Sequence, residues 1–126
     1  MTDLNFESYQ GELQRMTDLN FESYQSELHE IQQNFSVWGT SKALPTLALG
    51  LAGETGEVCE ILKRYFREGI EPNEQQLTKE LGDIVAYVTL LAIFYNIPLR
   101  TIFEVNLAKL TDRKERGVLE GKGNNR

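Results

Sequence analysis

GLAGETGEVCEILK at residues 50–63, followed by KELGDIVAYV at 79–88, is the stretch on which the fold turns. In and around the first block Leu47, Leu51, Glu54, Val58, Ile61 and Tyr65 recur every three or four residues. Leu77, Glu80, Ile84, Tyr87 and Leu91 do the same around the second. That period puts each set on one stripe of an α-helix. Neither block alternates as a strand does, and each stripe is apolar except for one glutamate.

Working outward, the first of these helices is predicted from about Pro45 to Arg67. A proline is tolerated in a first turn, where its missing N–H has no partner to lose, and Gly69 is a C-terminal stop. The next is predicted from an N-cap at Asn73, with Gln76 three residues on, to about Tyr95. Upstream, Phe21, Tyr24, Leu28, Ile31 and Phe35 predict a helix that Gly39 ends. Downstream, a last helix opens at Pro98 and runs to about Glu115, with Ile102, Val105 and Leu110 as its apolar positions. Short connections and four helical patterns give an all-α, antiparallel four-helix bundle.

At the N-terminus MTDLNFESYQGEL (1–13) recurs as MTDLNFESYQSEL (16–28) with one difference, Gly11 against Ser26. Such near-identity at a spacing of 15 is unlike a solenoid, whose repeats are longer and diverged. We read residues 1–15 as a cloning duplication of 16–28, and residues 16–126 as one domain. A genuine helical extension is the alternative. Residues 1–15 carry a net charge of −2 out of −6.

The chain is 40% hydrophobic and 25% charged over 126 residues, the balance of a globular domain. The acidic total argues against a protein that grips long nucleic acid by counterion release. The longest apolar stretch, Ile84 to Tyr95 broken by Thr89, is too short to span a bilayer, so no membrane partner is expected. One cysteine, Cys59, excludes an intrachain disulfide. A cytoplasmic protein is the simplest reading.

The chemistry lies in two E-x-x-[DE] pairs, Glu54/Glu57 and Glu80/Asp83. Residues three apart are neighbours on a helix surface, so each pair aims two carboxylates the same way, on or beside an apolar stripe. Clustered carboxylates repel, and burying them unpaired is costly. A hard divalent cation answers both problems: oxygen-only ligands suit Mg²⁺, with Mn²⁺ as a substitute. Zinc fits less well without histidine or cysteine in the set. The ferritin-like di-iron pattern needs Glu-x-x-His, which neither pair has. One such pair alone would read as a solvated helix face; two pairs on adjacent helices read better as a site. Gly50, Gly53, Gly56 and Gly82 lie inside the same helices, each costing about 1 kcal/mol against alanine. Close approach of the two backbones would account for them.

These motifs, with Tyr87 four residues after Asp83 and NLAKLTDRKERG at 106–117, resemble the MazG-like all-α NTP pyrophosphatase superfamily, over roughly residues 20–126. The resemblance implies hydrolysis between the α- and β-phosphates of a nucleoside triphosphate. It implies metal ligands at Glu54, Glu57, Glu80 and Asp83, with Glu54 or Glu57 as general base. Asn106, Lys109 and Arg113 match the helix that contacts the triphosphate in relatives. It also implies a homo-oligomer, read here as a tetramer, with a dimer as the other form. Lys63 and, from the tail, Arg126 are further phosphate candidates, and Trp38 and Tyr87 can stack on a base. The rival reading is a non-catalytic helical module that binds metal or nucleotide.

Overall fold

The computed structural model describes residues 18–118. The duplicated residues 1–15, and Arg126 in the tail, lie outside them. Among the described residues there are four helices and no strand: α1 (Phe21–Gln32), α2 (Ala43–Glu68), α3 (Glu74–Phe94) and α4 (Leu99–Glu115). This is the all-α bundle expected from the periodicity, with two departures that bear on function.

The first concerns α1. Asn20 and Ser23 form a reciprocal capping box at its start, each side chain accepting the other's backbone N–H at 2.8 and 2.9 Å. The helix stops at Gln32, short of the Gly39 predicted to end it. Asn34 is the cause we identify: its amide donates to the carbonyls of Glu30 and Ile31, 3.3 Å each, which a continuing helix would need. Beyond it, residues 33–42 are a run of turns closed by three-residue backbone bonds such as Phe35 N–H to Gln32 O at 2.8 Å. Phe35 therefore leaves the predicted stripe and is 46% exposed, and Ile31 is 51% exposed. Gln32 takes the buried place instead.

The second departure is α4. Asn96 adopts a left-handed φ of 57° after α3, and Ile97 N–H bonds back to Ala92 O at 2.8 Å, which seals the end of α3. The chain then turns by 109° into α4. So α4 runs crosswise rather than antiparallel to α3. Gln25 of α1 fixes the corner: its amide donates to Ile97 O at 2.8 Å and accepts from Leu99 N–H at 2.7 Å. Arg100 adds an ion pair to Glu22 and lies 4.9 Å from the Phe21 ring, and Phe21 meets Phe103 at 4.5 Å. Thus α4 is tied mainly to α1.

Helices α2 and α3 form the main packing unit. Helix α2 begins at Ala43, two residues before Pro45, and its first internal bond is Thr46 N–H to Lys42 O at 3.1 Å. Pro45 thus still sits where no donor is needed. Gly69, at φ 70°, ends the helix with its N–H on Tyr65 O. Helix α3 starts on the Asn73 cap, whose side chain accepts from Gln76 N–H at 3.0 Å. Asn73→Ala is expected to lower stability by about 1 kcal/mol in chemical denaturation; no loss would mean the α2–α3 turn holds without the cap. The buried residues Gln32, Ala43, Leu47, Thr89, Leu90, Ala92 and Leu99 come from the α1 end, the α2 start, the α3 end and the α4 start. The core therefore sits at that end of the bundle, and the acidic pairs lie away from it, later on α2 and earlier on α3. No single helix among the described residues is long and apolar enough to cross a membrane.

Candidate metal centre

On α2 the predicted stripe is the covered one: Leu47 is buried, and Leu51, Glu54, Val58, Ile61 and Tyr65 are half-buried. On α3 Leu77, Glu80, Ile84, Tyr87 and Leu91 are all half-buried. Gly50 lies against the Tyr87 ring, and a carboxylate oxygen of Glu54 comes within 4.8 Å of one of Glu80. Numbers that rise along α2 fall along α3, so the two helices are antiparallel and the acids meet.

One carboxylate oxygen each from Glu54, Glu80 and Asp83 lies within 4.8 Å of the others. Glu54 and Glu80 are half-buried and Asp83 is exposed. Partial burial, the hydrogen bond with Glu80 and the negative charges of Asp83, Glu80 and Glu57 together hold the Glu54 carboxyl above the usual glutamate range. Glu57 is exposed and stands outside the group of three, though its charge is felt at Glu54. The donor set is oxygen-only and negatively charged, which fits a hard divalent cation.

A carboxyl with a raised folded-state pKa is easier to protonate folded than unfolded. It withholds stability at neutral pH, and that stability returns as pH falls through the raised value toward the ordinary glutamate range. The metal-free chain is therefore expected to gain thermal stability from Glu54 as pH falls from neutrality toward the ordinary glutamate range. Glu54→Gln should reduce that gain, and melts of both proteins across the range decide it. An identical pH slope in the variant would contradict the shift.

The other predicted residues fall differently. Tyr87 packs its ring against the α2 backbone at Gly50, so it helps to join the two helices. Of the four glycines only Gly50 makes a close approach; Gly53, Gly56 and Gly82 face open space within the described chain. Successive steps of three residues turn by about 60° backward around the helix, which carries Gly53 and Gly56 off the facing stripe. Lys63 donates to Glu60 at 2.7 Å, both side chains more than half exposed. Asn106 and Lys109 are exposed and Arg113 half-buried on α4, whose main partner is α1. Trp38, from the turns after α1, meets Phe94 edge-on at 6.0 Å. Phe94 is about 16 Å along α3 from Asp83. Trp38 lines an open cavity of about 480 Å³ with His29, Thr40, Ala43, Phe94 and Asn96.

Tyr24 is a neighbour that its place on an apolar stripe did not reveal as part of the site. Burial, and then the charge of Asp83, push its phenol above the usual range, so it stays a protonated hydroxyl within reach of the Asp83 charge. Only the packing of α1 on α3 could have shown this.

Among known proteins, the chain is similar to the gene 37 protein of Mycobacterium phage L5, with 39% identity over 89 residues, 68% of this chain and 78% of that one. No solved structure matches. The MazG nucleotide pyrophosphohydrolase domain matches residues 42–118, the span that holds both acidic pairs and α4. Three carboxylates converging from two antiparallel helices inside that span agree with the match: the chain belongs to the MazG nucleotide pyrophosphohydrolase family.

Proposed function

We propose that this protein hydrolyses a ribo- or deoxyribonucleoside triphosphate between its α- and β-phosphates, releasing the monophosphate and pyrophosphate, with Mg²⁺ as cofactor and Mn²⁺ as a substitute. The observation that carries the reading is the meeting of Glu54, Glu80 and Asp83 within 4.8 Å, with Glu54 held above its ordinary range. Those three, joined by Glu57, hold the cation. Once bound, it supplies neutralisation of phosphate charge and a lowered pKa for water. Glu54 and Glu57 are the candidate general bases. Exposed and outside the group of three, Glu57 has an oxygen available to take a proton from the attacking water. Tyr24 can donate to Asp83 or to a phosphate oxygen.

Asn106, Lys109 and Arg113 are proposed to grip the phosphates, aided by Lys63 and Arg126. The Lys63–Glu60 pair is exposed and therefore easily exchanged. Because α4 packs on α1, we propose that a second copy completes the site. Val105 and Leu107, 61% and 67% exposed on α4, provide apolar surface for it. A tetramer, or the simpler dimer, follows. Trp38 is proposed to stack the base in its cavity.

The test is pyrophosphate release from ribo- and deoxyribonucleoside triphosphates with Mg²⁺ or Mn²⁺. Turnover of at least one nucleotide, abolished by chelation, is the expected result. Binding of metal and nucleotide without any turnover would reduce the protein to a helical nucleotide-binding module.

A further inference from the structure

Gln32 has no exposed surface, and neither its amide nitrogen nor its carbonyl oxygen has a hydrogen-bond partner among the described residues. A glutamine carboxamide carries two donors and an acceptor. Leaving such a buried group unmet costs about 1–3 kcal/mol, which an apolar residue of similar shape avoids. Loose packing of polar groups does not explain it. Thr89, the other fully buried polar residue described, donates to Val85 O at 2.8 Å.

The setting of Gln32 supplies a reason. It is one helical turn beyond His29 and shares the buried end of the bundle with Ala43. His29 and Ala43 both line the 480 Å³ cavity that also holds the Trp38 and Phe94 rings. Trp38, Gly39 and Thr40 reach that cavity from the 33–42 turns. This segment is held by short-range backbone bonds, with Gly39 at φ 84°, so it can shift without unwinding a helix.

We propose that Gln32 is the specificity residue of this site, its carboxamide pairing with a donor–acceptor edge of the nucleobase once the 33–42 segment moves aside. The proposal rests on the nucleotide reading above and extends it from stacking to base choice. Carboxamide side chains read paired donor and acceptor positions on a base in this way. Stacking on Trp38 is available to every base, whereas a carboxamide distinguishes among them by which edge it can satisfy.

The experiment compares the full chain with Gln32→Met and Gln32→Leu, which keep the volume and remove the amide. Two readouts are used: kcat/KM across the four deoxynucleoside triphosphates, and binding of the four deoxynucleoside monophosphates followed by the fluorescence of Trp38, the single tryptophan. The wild type should prefer one base, and in both variants that preference should shrink by at least about tenfold. Their thermal stability should be equal or higher, which a merely packed glutamine would also give. Base preference is therefore the deciding quantity. Variants that fold and keep the wild-type ranking and ratios overturn the proposal, as does a wild type that shows no preference in either readout. A wild type that binds one base selectively but hydrolyses nothing, with selectivity lost in the variants, supports Gln32 and removes the enzyme reading.

Discussion

Pyrophosphate release by Asp83→Asn, and by Glu54→Gln, is expected to fall by at least about 100-fold, a loss at the upper end for groups that only support a metal ligand. Each change keeps the side chain's size and removes its negative charge. Both residues belong to the group of three carboxylates within 4.8 Å. Losing one leaves too little negative charge to hold a divalent cation against a phosphorylated substrate. The fold should survive, because Asp83 is exposed and Glu54 only half-buried, and neither belongs to the fully buried core. Metal-free Glu54→Gln should melt at or above the wild-type temperature near neutral pH, since it removes a carboxylate that its neighbours disfavour. The expected signature is thus an inactive protein that is no less stable, and that gains less from added Mg²⁺ in a thermal melt. Near-wild-type turnover in either variant would show that the acids are a surface cluster and the reaction is done elsewhere.

Gly50→Ala is expected to destabilise the chain by about 2 kcal/mol, where most glycine-to-alanine changes in a helix stabilise it. A Cβ at Gly50 would fall among the Cδ1, Cε1 and Cζ atoms of the Tyr87 ring, so the ring or the helix must move. The helix propensity gained, about 1 kcal/mol, is smaller than the overpacking penalty when backbone and an aromatic ring are forced apart. Gly53→Ala and Gly82→Ala are the matched controls: nothing lies within 4 Å of either new Cβ, so both should raise stability by about 0.5–1 kcal/mol in the described chain. Equilibrium denaturation of the three variants checks the signs. Tyr87→Leu should recover part of the Gly50→Ala loss, because it removes the clashing ring atoms. A loss at Gly53 as large as at Gly50 would mean that a second copy covers that face of α2.

The α2 and α3 helices were legible because two long stripes of three- and four-residue spacing leave no other regular structure available. The acidic pairs were legible within them, since i, i+3 spacing fixes the direction of two side chains whatever the rest of the fold does. The glycines were read less well. One close contact does not account for all four: a period of three drifts around α2, and only Gly50 meets the facing helix. At α1 the apolar pattern was misleading. Phe35 continues the spacing in sequence, yet the Asn34 side chain takes the carbonyls that the next turn requires. The helix ends three residues earlier, and Gln32 goes inside.

What the sequence determined alone is local: which segments are helical, which face of each carries carboxylates, and by resemblance which family they belong to. Those properties follow from periodicity and residue chemistry within a few turns of chain. Tertiary structure decided what lies across from what. It brought Glu54 to Glu80 and Asp83, set Tyr24 near Asp83, and buried the Gln32 carboxamide without a partner among the described residues. It also turned α4 by 109° away from the helices that bear the acids. Each of these depends on a helix crossing or a turn angle, which is set by the packing of residues distant in sequence and leaves no periodic trace in any one segment.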